Sequence, residues 1–264
     1  MINYSKQLKK EVKSRASIES LKNEIASLTE NNQTLEELKH DLGRFISEIL
    51  SLSEELSQLV SSTEKTGNQK AVELASTLTH TISMASSRII YSDIELSQGT
   101  LENEARFTSV VYKKFDKARR VLMKRAKNKN IFIKLDGKSN FAIYAISAFD
   151  MIPFILLENA IKYSPSNSEV TVTFEESMSQ DTKLEVSINS LGPFVSNEDI
   201  KKLTQRGFRS HNEKVKKTAG QGLGLYIAHN LCGIHNVKMN FSSSMSTKLD
   251  DVDYGPFNVK LTFK

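Results

Sequence analysis

The sequence predicts an α+β protein in which long helices come first and a mixed region of strands and helices follows. Up to about residue 98, apolar residues recur at helical or heptad spacing. From residue 131 onward, segments that alternate with period two are separated by short helical patterns. Runs of strands with a few helices are typical of a sheet covered on one face. The 264 residues, 39% hydrophobic and 25% charged, suffice for one large or two modest soluble domains.

The first segment has the heptad spacing of a coiled coil between Ser17 and Leu42. One core position is taken by Ile18, Ile25 and Asn32, and the other by Leu21, Leu28, Leu35 and Leu42. A core asparagine fixes register and favours two strands. We therefore predict a dimeric coiled coil over residues 1–35; the alternative is a long helix packed on its own domain.

A helical hairpin is predicted next, over residues 36–104. The first helix continues to about Leu59, Thr63–Asn68 reads as a turn, and a second amphipathic pattern runs from Val72 to Ile90. Two such hairpins in a dimer make a four-helix bundle.

A strongly basic helix begins the third predicted domain, residues 105–264. Its apolar stripe consists of Val111, Phe115, Ala118, Leu122 and Ala126, and its other faces carry Lys113, Lys114, Lys117, Arg119, Arg120, Lys124 and Arg125. We interpret the charges as a solvated face. The alternative is a nucleic-acid or acidic-partner surface, which the net charge of +5 permits without requiring it.

Six strands and three further helices are predicted beyond it. The strands are Ile131–Ile133, Phe141–Ile146, Val170–Phe174, Leu184–Ile188, Val237–Phe241 and Val259–Phe263. The helices are Met151–Ser164, Glu198–Leu203 and Leu223–Leu231, the last stopping at Gly233.

The helix Met151–Ser164 ends in an unusual polar group. Glu158, Asn159 and Lys162 follow an all-apolar run and share a helix face with Ile155. One interpretation is a site for a polyphosphate and its metal, with Asn159 as an oxygen ligand, Lys162 as a point charge and Glu158 polarising water. The other is a helix end whose polar residues reach solvent before Pro165.

A glycine run follows downstream and favours the first interpretation. Gly220, Gly222 and Gly224 alternate directly before a helix, whose first N–H groups can face an anion. ENAIKYSP followed by GQGLGLYIA resembles the nucleotide site of the GHKL ATPases, and most closely that of the histidine kinases. The resemblance implies a Bergerat fold that binds ATP and Mg²⁺. The implied nucleotide contacts are Asn159, also the metal ligand, Lys162, Tyr163, Gly220, Gly222, Leu223, Gly224 and Leu225.

Two segments between these motifs complete the implied site. The long polar connection from Gly192 to Gly220 reads as an ATP lid, with Phe208 as its anchor and Arg209 able to reach the γ-phosphate. In the family's first glycine box, Ser190 stands in the aspartate position and Gly192 is kept, whereas Phe194 replaces the second glycine. Serine cannot form the charge-assisted bond that the family's aspartate makes to adenine. Loss of such a bond weakens the free energy of binding by on the order of 1.5–3 kcal/mol.

The resemblance extends to the hairpin. His40 and Asp41 occupy the place of the family's phosphate-accepting pair, in which a carboxylate can take a proton from the imidazole. Arg44 stands where many relatives carry Thr or Asn, which makes phosphatase activity doubtful.

The resulting prediction is a dimeric cytosolic histidine kinase that phosphorylates His40 and passes the phosphoryl group to an aspartate of a separate response regulator. The N-terminus has no apolar core typical of a signal peptide, and no apolar run is long enough to span a membrane. Two alternatives are a catalytically degenerate dimeric scaffold, favoured by Ser190 and Arg44, and a GHKL ATPase that acts with nucleic acid and without phosphotransfer.

Overall fold

The computed structural model describes residues 101–177, 182–210, 222–245, 247–249 and 252–264, together with single residues between 19 and 92. Each of those single residues is helical, and Leu74 and Ile90 among them are buried. His40 and Asp41, and most residues of the predicted coiled coil and hairpin, lie outside the described residues. In the described part of the chain, no helix is both long and apolar enough to cross a membrane.

The main sheet has the strand order β2-β4-β5-β8-β6, and a further strand, β7, pairs with β8. The strands are β2 (Phe132–Asp136), β4 (Glu169–Glu176), β5 (Leu184–Pro193), β6 (Lys238–Ser243), β7 (Thr247–Leu249) and β8 (Val252–Phe263). The β2–β4 pair is parallel and the other pairs are antiparallel. A separate two-stranded sheet joins β1 (Phe107–Val110) to β3 (Ala142–Ala145).

Alternation along the strands gives the sheet one apolar and one polar face. On β5, Leu184, Val186 and Ile188 are buried and lie opposite the buried residues Phe263, Leu261 and Val259 of β8. On the other face, Lys260 donates to Glu185 at 3.0 Å, and the Asn258 amide donates to Asn189 at 2.8 Å. Polar pairs make this face compatible with water, whereas the apolar face must be covered. The predicted α+β sandwich is therefore confirmed for this part of the chain.

Three helices cover the apolar face: α1 (Val111–Asn128), α2 (Met151–Tyr163) and α4 (Gly224–Ile234). The short α3 (Asn197–Ile200) lies between β5 and α4 in the sequence. All residues of the predicted apolar stripe of α1 are buried, namely Val111, Phe115, Ala118, Leu122 and Ala126. Helix α2 is buried almost all round, and it packs between α1 and α4 against β5.

Asparagine, not glycine, ends helices α1 and α4. Asn130 and Asn236 have φ values of 52° and 54°. The N–H of the residue after Asn130 donates to the Ala126 carbonyl at 2.8 Å. The N–H of the residue after Asn236 donates to the Cys232 carbonyl at 2.9 Å. This is the Schellman arrangement, in which asparagine tolerates the left-handed conformation. The expected stop at Gly233 was wrong, since Gly233 lies inside α4.

Two strands are considerably longer than predicted, since β5 continues to Pro193 and β8 begins at Val252, and the other differences concern short segments. Strands β1 and β7 were not predicted, because three or four residues carry too little alternation to be distinguished from a loop. The predicted helix Glu198–Leu203 is only a four-residue helix followed by turns; Ser196 caps it by accepting from the Asp199 N–H at 3.1 Å.

Ion pairs within the fold use several of the basic side chains of α1. Lys114 and Lys117 contact Asp150 at 2.6 and 2.8 Å. Burial alone raises the pKa of Asp150, but hydrogen bonds and charge from the two lysines outweigh it and hold that pKa below its usual value. Arg119 and Arg120 likewise contact Asp116 at 2.7 and 3.1 Å. These pairs give four of the basic side chains of α1 acidic partners within the fold.

Candidate nucleotide-binding site

The glycine run and the polar end of α2 meet in the folded chain. A Cβ added to Gly224 would lie 3.3 Å from Ile155 Cγ2 and 3.5 Å from Asn159 Nδ2. The N-terminus of α4 therefore lies directly against the Asn159 amide, although 65 positions separate the two in the sequence. Leu223, at the N-cap position of α4, has no polar side chain to satisfy the first N–H groups of that helix. Such groups are suited to an anion.

A second close approach connects the predicted lid to the glycine run. Gly207 and Gly222 have φ values of 70° and 73°. A Cβ on Gly222 would lie 2.7 Å from both the Gly207 carbonyl carbon and the Phe208 oxygen. The half-buried Phe208 thus has its backbone against the glycine run, and Arg209 follows it half-buried. Gly220 lies outside the described residues.

The two charged residues predicted on α2 have different neighbours. Glu158 accepts from Arg125 of α1 at 2.5 Å and is largely shielded from solvent. Lys162 donates to the Tyr163 hydroxyl at 3.0 Å and lies 4.7 Å from the centre of its ring. Lys162 and Tyr163 therefore form one cationic, hydrogen-bonding unit in the last turn of α2, whereas Glu158 is directed toward α1.

The first glycine box, which contains Ser190 and Gly192, belongs to strand β5, and β5 is paired with β8 over its whole length. Ser190 lies opposite Phe257, and Gly192 lies opposite Gly255. Because the register is continuous, Ser190 and Ile188 share the helix-covered face, whereas Asn189 faces the other side. Of the two polar residues near the aspartate position, Ser190 is thus the one on the site's side of the sheet. A Cβ at Gly192 would only touch Phe257 Cβ at 3.7 Å, so no close approach of its neighbours requires a glycine there.

Two supporting residues were not singled out as part of the site from the sequence. Lys129 donates to the carbonyls of Ile161, Lys162 and Ser164, at 2.7, 3.1 and 2.6 Å. The fully buried Ser164 donates its hydroxyl to the Leu191 carbonyl at 2.9 Å. These contacts join the ends of α1 and α2 to β5, and no local pattern in the sequence signals them.

A buried histidine lies at the other end of α4. His235 Nδ1 lies 2.6 Å from the Leu231 carbonyl, and Nε2 accepts from the Ile146 N–H at 3.2 Å. These partners fix a neutral ring that carries its proton on Nδ1. Burial lowers the pKa of His235, and the nearby Arg106 charge adds to that effect, against the opposing bond to Leu231.

The donor set fits magnesium held together with a polyphosphate. The described residues contain no group of three or more His, Cys, Asp or Glu side chains that could cage a metal. Magnesium commonly uses one or two protein oxygens, substrate phosphates and water. The Asn159 amide beside the α4 N-terminus could supply one such oxygen, and the Lys162 ammonium could supply positive charge for phosphates.

Comparison with known proteins agrees with this arrangement. Residues 149–252 match the family model described as "Histidine kinase-, DNA gyrase B-, and HSP90-like ATPase". Histidine protein kinase SaeS of Staphylococcus aureus (strain bovine RF122 / ET3-1) is 36% identical over 100 residues, which cover 38% of this chain and 26% of that protein. The chain thus matches about a quarter of the length of this relative.

Solved structures of histidine kinases are similar to this chain at low sequence identity. Full-length ShkA in complex with AMPPNP superimposes with a TM-score of 0.52 at 14% identity, over 87% of this chain and 46% of that one. The mycobacterial sensor histidine kinase MprB gives a TM-score of 0.48 at 18% identity, over 60% of this chain and 97% of that one.

In fold and in sequence, residues 149–252 are similar to the ATPase domain of the GHKL class. The sequence relative that matches this part of the chain is a histidine kinase. The boundaries 1–35, 36–104 and 105–264 remain predictions.

Proposed function

We propose that this chain is a cytosolic, dimeric, ATP-dependent histidine kinase that phosphorylates its own His40. The contact between Gly224 and the Asn159 amide is the observation on which the proposal depends most. It joins a metal-binding side chain to an anion-binding helix terminus, the two parts that a Mg²⁺–ATP site needs. The SaeS relative and the AMPPNP complex of ShkA support the same function.

Each residue of the site has a definite task in this proposal. Lys162 and Tyr163 bind phosphate oxygens, and the N–H groups at the start of α4 bind the anion end-on. Ser190 offers a hydroxyl on the covered face of β5 for a direct or water-mediated bond to the base. Phe208 and Arg209 connect the site to the predicted lid, and Arg209 supplies further positive charge. Asn159 would hold Mg²⁺, which would supply neutralisation of charge on the phosphates.

The chemical step belongs to His40. A ring nitrogen of His40 bonds to the γ-phosphorus as the bond from that phosphorus to the β,γ-bridging oxygen breaks, releasing ADP. Asp41 accepts the proton from the imidazole. Phosphoryl transfer of this kind relies mainly on positioning and charge neutralisation. The phosphohistidine then transfers its phosphoryl group to an aspartate of a separate response regulator.

Labelling with γ-³²P-ATP and Mg²⁺ tests the proposal. We expect acid-labile label on the wild type and none on His40→Ala or Asn159→Ala. Asn240→Ala is the matched control, because Asn240 is exposed on β6 opposite Lys260, on the polar face of the sheet. It should label like the wild type. Label that persists in His40→Ala would disprove the assignment of the acceptor.

A degenerate nucleotide-binding scaffold is the second candidate, and the hydroxyl in place of a carboxylate at Ser190 favours it. ATP binding without any label would support this candidate. ATP hydrolysis without label, with salt-sensitive DNA retention, would instead support an ATPase acting with nucleic acid.

A further inference from the structure

We propose that Lys129 is a positioning residue of the nucleotide site. It holds the last turn of α2 in place relative to the first glycine box on β5. The inference rests on the proposed nucleotide binding, but its geometry lies wholly within the described residues. Lys129 is the C-cap residue of α1 and lies next to the end of α2.

The end of α2 has a specific deficit that Lys129 meets. The last carbonyls of a helix have no partner within the helix. The Ile161 carbonyl would ordinarily accept from the N–H of the residue four positions later, but that residue is Pro165, which has no N–H. The Lys129 ammonium lies 2.7 Å from this carbonyl and also binds the carbonyls of Lys162 and Ser164.

The Lys129 ammonium also makes the electrostatic potential at the proposed phosphate site more favourable to an anion. The C-terminus of a helix carries partial negative charge, which opposes an anion placed nearby. Lys162 and Tyr163, the proposed phosphate ligands, lie in that last turn. A cation bound to the terminal carbonyls offsets their charge where the polyphosphate must approach. Lys129 thereby favours anion binding without itself touching the ligand.

Ser164 extends the effect to β5. Its carbonyl accepts from Lys129, its N–H donates to Ala160 at 3.0 Å, and its hydroxyl donates to Leu191 at 2.9 Å. Leu191 lies between Ser190 and Gly192. Holding Ser164 in place therefore holds the proposed base-binding segment against the proposed phosphate-binding turn.

The test compares Lys129→Met, Lys129→Arg and Lys127→Met by calorimetric titration with Mg²⁺–ATP, thermal unfolding and amide hydrogen exchange. Lys127 is the matched control, since it is exposed in the last turn of the same helix. We expect Lys129→Met to raise the Kd at least tenfold at a temperature where it is folded. Lys129→Arg should recover most of the affinity, and Lys127→Met should stay within about twofold of the wild type.

Hydrogen exchange separates positioning from general stability. In Lys129→Met, exchange should accelerate at the amides of Lys162, Tyr163 and Ser164, while the central strands β5 and β8 keep their protection. A folded Lys129→Met protein with wild-type Kd would overturn the inference, as would acceleration spread evenly over the sheet. If Lys129→Met does not fold, Lys129→Gln takes its place under the same criteria. Wild-type protein that binds no nucleotide overturns the proposed function, and local exchange then decides the positioning role alone.

Discussion

The contact between Gly222 and the backbone of Gly207 and Phe208 predicts a large effect from one added methyl group. In Gly222→Ala the new Cβ must occupy a backbone with φ of 73°, which costs a side chain about 1–2 kcal/mol. It would also lie 2.7 Å from two backbone atoms, which cannot rotate away as a side chain can. Overpacking of this kind costs about 1–3 kcal/mol more.

Together these terms lower the free energy of unfolding by about 2–5 kcal/mol, which lowers Tm by roughly 4–20 °C for a domain of this size. Gly233→Ala is the matched control. Nothing lies within 4 Å of its added Cβ, and Gly233 is inside helix α4. Alanine there should stabilise by about 0.5–1 kcal/mol. The same chemical change is thus expected to have opposite signs at two positions.

Thermal unfolding followed by circular dichroism measures both changes, and titration with Mg²⁺–ATP measures the effect on the site. The Gly222→Ala protein should unfold at a lower temperature and bind Mg²⁺–ATP more weakly, because the backbone of the glycine run must move away from the backbone of Phe208. A Gly222→Ala protein that melts with the wild type would refute the close approach.

Three further predictions concern single side chains. Ser190→Asp should tighten ATP binding roughly ten- to a hundred-fold, the equivalent of a charge-assisted bond of about 1.5–3 kcal/mol, and an unchanged Kd by titration would argue against adenine at this position. His235 has a folded-state pKa below its usual 6.5, so its stabilisation is fully present above about pH 6.5 and is lost as pH falls toward the folded-state value. Urea unfolding at pH 7.5 and 5.5 should show this loss, and the loss should be smaller in His235→Gln; equal pH dependence in both proteins would contradict it. Burial raises the pKa of Cys232 to about 12, so this single thiol should resist labelling at pH 8 in the folded protein and react in denaturant. Rapid labelling under native conditions would show that α4 is not packed as described.

Much of the fold could be predicted because burial follows local periodicity. The stripe of α1 and the alternation of β5 are written into spacings of three to four and of two residues. Their burial confirms that reading. The site motifs were also visible, since a glycine run before a helix and a polar group ending an apolar helix are unusual combinations.

Position within an element was harder to predict. The distinction between Ser190 and Asn189 depends on which face of β5 the helices cover, and a neighbouring strand must fix the register before that is decided. Gly192 looked like a site glycine from its motif, whereas Gly255, opposite it, is the one whose Cβ would collide with the Ser244 carbonyl.

The sequence by itself determined most of the helices and strands in the C-terminal part of the chain and which segments carry polar chemistry. Only the tertiary structure decided what those polar residues contact. Arg125 meets Glu158 across 33 positions, and Lys129 meets the Ser164 carbonyl across 35. Such partners are set by how α1 packs on α2, and the sequence offers many lysines and arginines that would serve equally well. Local pattern fixes an element because its energetics are local; a long-range partner depends on every surface between the two residues.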